Sequence, residues 1–200
     1  MPSFANTIRL DIEYKHVGWN RTARLKKQLN RAIDAAFKRL PTPLQCAGCV
    51  TVLLTGDKQI RVLNRAFRKK DSPTNVLSFP QFNPEDLMLA MRAQTASPGR
   101  RRETSGESLY LGDIAMAWQT VKAEAARDGK TVVDHATHLV IHGLLHLFGY
   151  DHMRANEAKK MEALEIAIMK DLGLDDPYLT PTKVPVLKSA RKKLLLPTRK

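Results

Sequence analysis

Cysteine is nearly absent: the 200 residues hold only Cys46 and Cys49, in a single C-x-x-C. One such pair cannot complete a zinc ribbon, and no second pair exists, so two reduced thiols leading into a strand are the expectation. No apolar run reaches the ~18 residues of a membrane-spanning helix. The opening Met1-Pro2-Ser3-Phe4-Ala5-Asn6 has no basic segment followed by an apolar one, so no secretory signal is expected. These absences together predict a cytoplasmic protein without membrane contact. Acid is scarce as well: 33 Lys and Arg face 20 Asp and Glu, a formal charge of +13. Between 177 and 200 stand Lys183, Lys188, Arg191, Lys192, Lys193, Arg199 and Lys200 and no acid, yet the rest of the chain is net basic too. A basic body favours polyanionic partners, nucleic acid above all.

The length suits one domain able to bury a core unaided, and the 43% hydrophobic content is ordinary for a globular protein. Thr7 to Tyr14 alternates apolar and polar residues, as a strand with one wet side does. Asn20 is placed to cap a helix reaching Leu40, with Leu25, Leu29, Ile33 and Phe37 on its apolar stripe. Its other face carries Arg21, Arg24, Lys27, Arg31 and Lys38, a solvated face or, alternatively, an RNA-facing one. Val50 to Thr55 reads as an interior strand. Asp57 is placed to cap a short helix through Ile60, Leu63 and Phe67. Strands follow at Asn75 to Phe79 and Leu109 to Ala115, then a helix from Trp118 to Arg127. Between 81 and 108 the pattern dissolves into a flexible insertion, with one weak helix at Glu85 to Gln94. Asn156 to Leu172 is amphipathic, and 177–200, with four prolines and little helical period, reads as a largely disordered basic tail behind a domain of residues 1–176. This order predicts an α+β fold: a small mixed sheet of about four strands with helices packed on it.

Five of the six histidines lie between positions 135 and 152. Three of them, His142, His146 and His152, form H-x-x-x-H-x-x-G-x-x-H. Residues four apart share a helix face, so His142 and His146 aim at one point. Gly149 permits the turn that brings His152 back to them. A zincin-like helix bearing one Zn2+ (or another divalent ion) per chain follows, its fourth position open as in catalytic sites. The spacing is that of metzincin proteases, but those need Glu after the first histidine as general base, and here that place is Gly143. Histidines in an ordinary buried core are the plain alternative; three at this spacing around a glycine argue against it.

The block from His142 to His152, His-Gly-Leu-Leu-His-Leu-Phe-Gly-Tyr-Asp-His, resembles the signature of the YbeY-type endoribonucleases, metal-dependent RNases of ribosomal RNA maturation. Arg68-Lys69-Lys70-Asp71-Ser72-Pro73-Thr74-Asn75-Val76-Leu77-Ser78-Phe79-Pro80 resembles that family's R-x-K-D-x-P-T-[DN]-V-L-S-F-P, and Leu111-Gly112-Asp113-Ile114 its L-G-D-I. The resemblance implies RNA precursors and the small ribosomal subunit as partners, with no DNA expected. It also implies Arg68 as the catalytic cation, since the guanidinium fork suits phosphate. Asp151, Asp113, His138 and Asn75 are candidates for orienting a ligand or touching substrate, Asp151 equally a turn former. No general base is assigned: the attacking group is either an activated water or the RNA's own 2′-hydroxyl. Two readings of other classes stand beside this one, a zinc metallopeptidase and a non-catalytic ribosome-binding protein with a structural metal.

Overall fold

The apolar run ending at Thr55 is an interior strand, paired along both edges and with most of its residues buried on both faces. In the computed structural model, which describes residues 7–20, 22, 24–41, 47–95 and 108–179, four strands make one mixed sheet. β1 (Ile8–Tyr14) runs parallel to β2 (Gly48–Thr55), and β2 parallel to β4 (Leu109–Ala117). β3 (Val76–Pro80) lies antiparallel on the far edge of β4. Successive side chains of a strand point to opposite faces. Ile114 and Met116 of β4 accordingly enter the main core, while Ala115 and Ala117 meet Ile60 and Leu77 in a smaller cluster on the other side.

Among the described residues seven helices accompany this sheet: α1 (Val17–Asn20), α2 (Leu25–Arg39), α3 (Asp57–Arg68), α4 (Pro84–Thr95), α5 (Trp118–Arg127), α6 (Val132–Leu147) and α7 (Ala155–Asp171). The α+β architecture expected from the sequence is the one observed. α2 buries Leu25, Leu29, Ile33 and Phe37, the stripe that a 3.6-residue period lines up. It packs on α6 and α7, while α3 covers the smaller cluster. None of the described helices is long and apolar enough to cross a membrane.

Four expectations need correction or a boundary. Asn20 does not cap α2; it ends α1, a separate turn held by Trp19, whose Nε1 donates to the Thr55 carbonyl at 2.8 Å. α2 starts instead after Arg24, which has φ 68° and makes no side-chain cap. Asp57 is not a cap either: Gly56 precedes α3, and the Asp57 carboxylate accepts from the Thr120 amide and hydroxyl at 3.1 and 2.9 Å, tying α3 to α5. The weak helix expected at Glu85 to Gln94 is α4, one residue longer at each end and anchored by Leu87 and Met91 in the main core. The folded body also continues past 176, since Pro177 is buried and its carbonyl accepts from Lys130 Nζ. Arg21, Cys46 and residues 96–107 and 180–200 lie outside the described residues. Cys49 is a buried free thiol.

Candidate active site

α6 carries most of the site, and its ends are built to hold it. At its start Thr131 Oγ accepts from the Asp134 amide at 3.0 Å, filling one of the open donors of the first turn. At its end Gly149 adopts φ +82°, which a side chain would resist. The Gly149 amide then reaches the His146 carbonyl and the Tyr150 amide the Leu145 carbonyl, both at 3.0 Å, a Schellman closure. That turn reverses the chain and lays His152 against the last turn of the helix. The ring centroids of His142 and His146 are 4.6 Å apart, and His152 lies 5.5 and 5.1 Å from them. One nitrogen from each falls within 4.8 Å of the others, so the triad can hold a metal ion.

Two hydrogen bonds fix which nitrogens the rings of His142 and His146 present to one another. The Tyr150 carbonyl can only accept, so His146 Nδ1, 2.9 Å away, carries the ring proton. His142 Nδ1 lies 2.9 Å from Glu165 Oε1, an ionised carboxylate, and carries its proton likewise. Burial, and after it the neighbouring His142 and His152, push the His146 pKa below the ordinary imidazole value, so that ring is neutral near pH 7. The two Nε2 atoms, left free of those partners, turn toward each other at 3.1 Å, where a single cation can be shared between them.

Glu165 of α7 is the residue sequence reasoning missed. Its side chain is fully buried. One oxygen meets His142 Nδ1, and the other accepts from His138 Nε2 at 2.7 Å and from the Tyr178 hydroxyl. Burial alone would raise its pKa, but the bonds from His138 and His142 outweigh it and hold the carboxyl at about 2. The Tyr178 hydroxyl is pushed up in turn, by burial and by this carboxylate. A signal was present: Met161, Glu165, Ile168 and Leu172 share one face of α7, so a carboxylate sits in the middle of its apolar stripe. Buried carboxylates persist only when hydrogen-bonded or paired.

Gly143 explains why the metzincin base is missing. A Cβ there would lie 2.9 Å from Ile114 Cγ2, 3.0 Å from its Cδ1 and 3.1 Å from Ser78 Oγ, because α6 is pressed onto β3 and β4 at this point. No glutamate fits without parting helix from sheet. Gly143→Glu is expected to cost roughly 3 kcal/mol or more, combining overpacking with a carboxylate forced against Ile114. Thermal melting checks this; a variant melting with the wild type would contradict the close contact.

Arg68 ends α3 and lines the cleft of about 610 Å³ that also holds His142, His146 and His152. The chain after it is tied back onto α3: Arg61 clasps Asp71 through two bonds of 2.9 Å, and Asn64 Nδ2 donates to the Ser72 carbonyl at 2.8 Å. Arg68 itself is exposed and makes no side-chain bond among the described residues. The other candidates fall elsewhere. Asp151 lines the cleft, but its carboxylate accepts from the His152 amide at 2.7 Å, so it shapes the turn and orients no imidazole; Glu165 does that. His138 reaches Glu165 from the side away from the triad. Asp113 accepts from the Tyr110 hydroxyl, and Asn75 donates to Glu124 Oε2 at 3.0 Å; neither lines the cleft.

Three imidazoles from a buried helix and its reversing turn, over a mixed sheet, with the Arg68 guanidinium in the same cleft, make a candidate metal site on an α+β fold. The model of the family described as Endoribonuclease YbeY matches residues 11–173. Endoribonuclease YbeY of Allorhizobium ampelinum is 41% identical over 169 residues, 80% of this chain and 89% of that protein. Its namesake in Chelativorans sp. is 43% identical over 154 residues, covering 77% and 83%. That of Magnetococcus marinus is 45% identical over 159 residues, covering 79% and 97%. The solution structure of TM1509 from Thermotoga maritima is also similar, with 22% identity, a TM-score of 0.47, and coverage of 86% of this chain and 99% of that one. The chain belongs to the YbeY endoribonuclease family.

Proposed function

We propose that this chain is a single-strand-specific, metal-dependent endoribonuclease that matures ribosomal RNA at the 3′ end of the small-subunit species and acts in ribosome quality control in the cytoplasm. The observation that carries this reading is the cleft itself, where the histidine triad and the unpaired Arg68 face one space. His142, His146 and His152 would hold the ion, with zinc suited to three neutral nitrogens. Bound there, it supplies Lewis acidity toward a water and toward a phosphoryl oxygen. Glu165 fixes the proton of His142 on Nδ1, and the Tyr150 carbonyl does so for His146, so both Nε2 atoms stay available. Arg68 offers a planar fork to a phosphate, and negative charge grows on the non-bridging oxygens as the diester is cleaved. The basic residues beyond 179 would add salt-dependent affinity for RNA rather than chemistry. A truncation meant to test them must spare Tyr178, which bonds to Glu165.

Glu165→Gln is expected to weaken metal binding about 10–100-fold, the usual cost of losing the partner of a ligating imidazole. Competition against a chelator measures it, and an unchanged affinity would contradict the orienting role. The peptidase reading lacks its base, and Gly143 leaves no room for one. A single metal-loaded sample offered both an unstructured RNA and casein separates the readings. Cleavage of RNA alone is expected, and cleavage of casein alone would overturn this proposal.

A further inference from the structure

Phe67 is two-thirds exposed, at 66%, although it is a large apolar side chain in a regular helix. It belongs to neither hydrophobic cluster, so the fold does not need it. Its ring is nonetheless held: Phe79 of β3 meets it edge to face, with centroids 4.9 Å apart and an interplanar angle of 66°. Phe79 is itself half-buried and packs on the smaller cluster, which makes it a fixed brace. Both rings line the same cleft as the three histidines and Arg68. The surroundings are cationic, since Arg65, Arg68, Lys69 and Lys70 are all exposed around the end of α3.

We propose that Phe67, braced by Phe79, is the stacking subsite for one unpaired base of the RNA beside the phosphodiester held at Arg68. This rests on the ribonuclease reading above and names how that site selects its substrate. Phe67 and Arg68 line the same cleft, so a phosphate on Arg68 leaves a neighbouring base within reach of the Phe67 ring. Any base presents a π-face, and an aromatic platform beside cations is how single strands are gripped without reading sequence. A base inside a duplex has both faces covered by its neighbours and cannot occupy the platform, which gives preference for unpaired RNA. The basic rim favours a polyanion over the apolar face of another protein.

The test uses the full-length, metal-loaded protein and a short unstructured RNA, with a series in which a single abasic nucleotide is moved across the cleaved bond. Phe67→Ala is expected to raise KM about tenfold with kcat unchanged, the scale of one lost base–aromatic stack. Phe67→Trp should restore the wild-type KM. In the wild type one abasic position should cost as much as the variant does, and in Phe67→Ala that position should cost nothing more. Losses that simply add, or a KM untouched by Phe67→Ala, overturn the subsite while leaving the ribonuclease reading intact. A wild type that cleaves no RNA overturns both. A concentration-dependent dimer abolished by Phe67→Ala would overturn it in favour of an interface between copies.

Discussion

His146→Ala is expected to hold well below one metal ion per chain and to lose RNA cleavage with it. His146 supplies one of the three converging nitrogens, and its Nε2 lies 3.1 Å from that of His142. The helix should survive the change. Alanine is the best helix former, and the backbone bonds from Gly149 and Tyr150 that close α6 do not involve the imidazole. What goes is the bond between the ring and the Tyr150 carbonyl, which is local to the turn. Elemental analysis of the purified variant reads the outcome directly. Stoichiometric metal in His146→Ala would mean that the ligand set is different.

The second large effect belongs to Arg68. Arg68→Ala is expected to lower cleavage by roughly 10²–10³, the scale of removing one donor that acts in the transition state. Metal content and melting should stay as in the wild type, because Arg68 is exposed and bonded to nothing among the described residues. Arg68→Lys should recover little, since an ammonium cannot grip phosphate through two parallel bonds. Lys69 and Lys70 do not substitute for it, as neither lines the cleft. Single-turnover rates on a saturating substrate decide the matter, and unchanged turnover in Arg68→Ala would remove the role assigned to it.

The triad was legible because helical periodicity and one glycine determine it locally: His142 and His146 share a face, and Gly149 turns the chain. The strand alternations and the apolar stripe of α2 were legible for the same reason. The partners that complete the site were not, because they come from far along the chain. Glu165 lies 23 residues beyond His142 and 27 beyond His138, and its meaning appears only once α7 is laid beside α6. Tyr178 stands at the start of a proline-rich stretch whose pattern suggests a free tail, yet its hydroxyl donates to Glu165. Asp151 adjoins a ligand in sequence and so drew attention, but adjacency favours a backbone bond to His152 over one to a ring. The start of α2 was misplaced because burial of Trp19 overrides the capping preference of Asn20. Strand order, with β4 between β2 and β3, depends on long-range pairing that no local pattern encodes.

Cleavage of RNA is expected to require one metal ion on His142, His146 and His152. Metal-free protein titrated with zinc, with single-turnover cleavage of an unstructured ribosomal RNA fragment followed at each addition, tests it most directly. The cleaved fraction is expected to rise in proportion to added metal and to level off at one ion per chain. Cleavage already complete in the metal-free protein, or activity that fails to track the first equivalent, would contradict it.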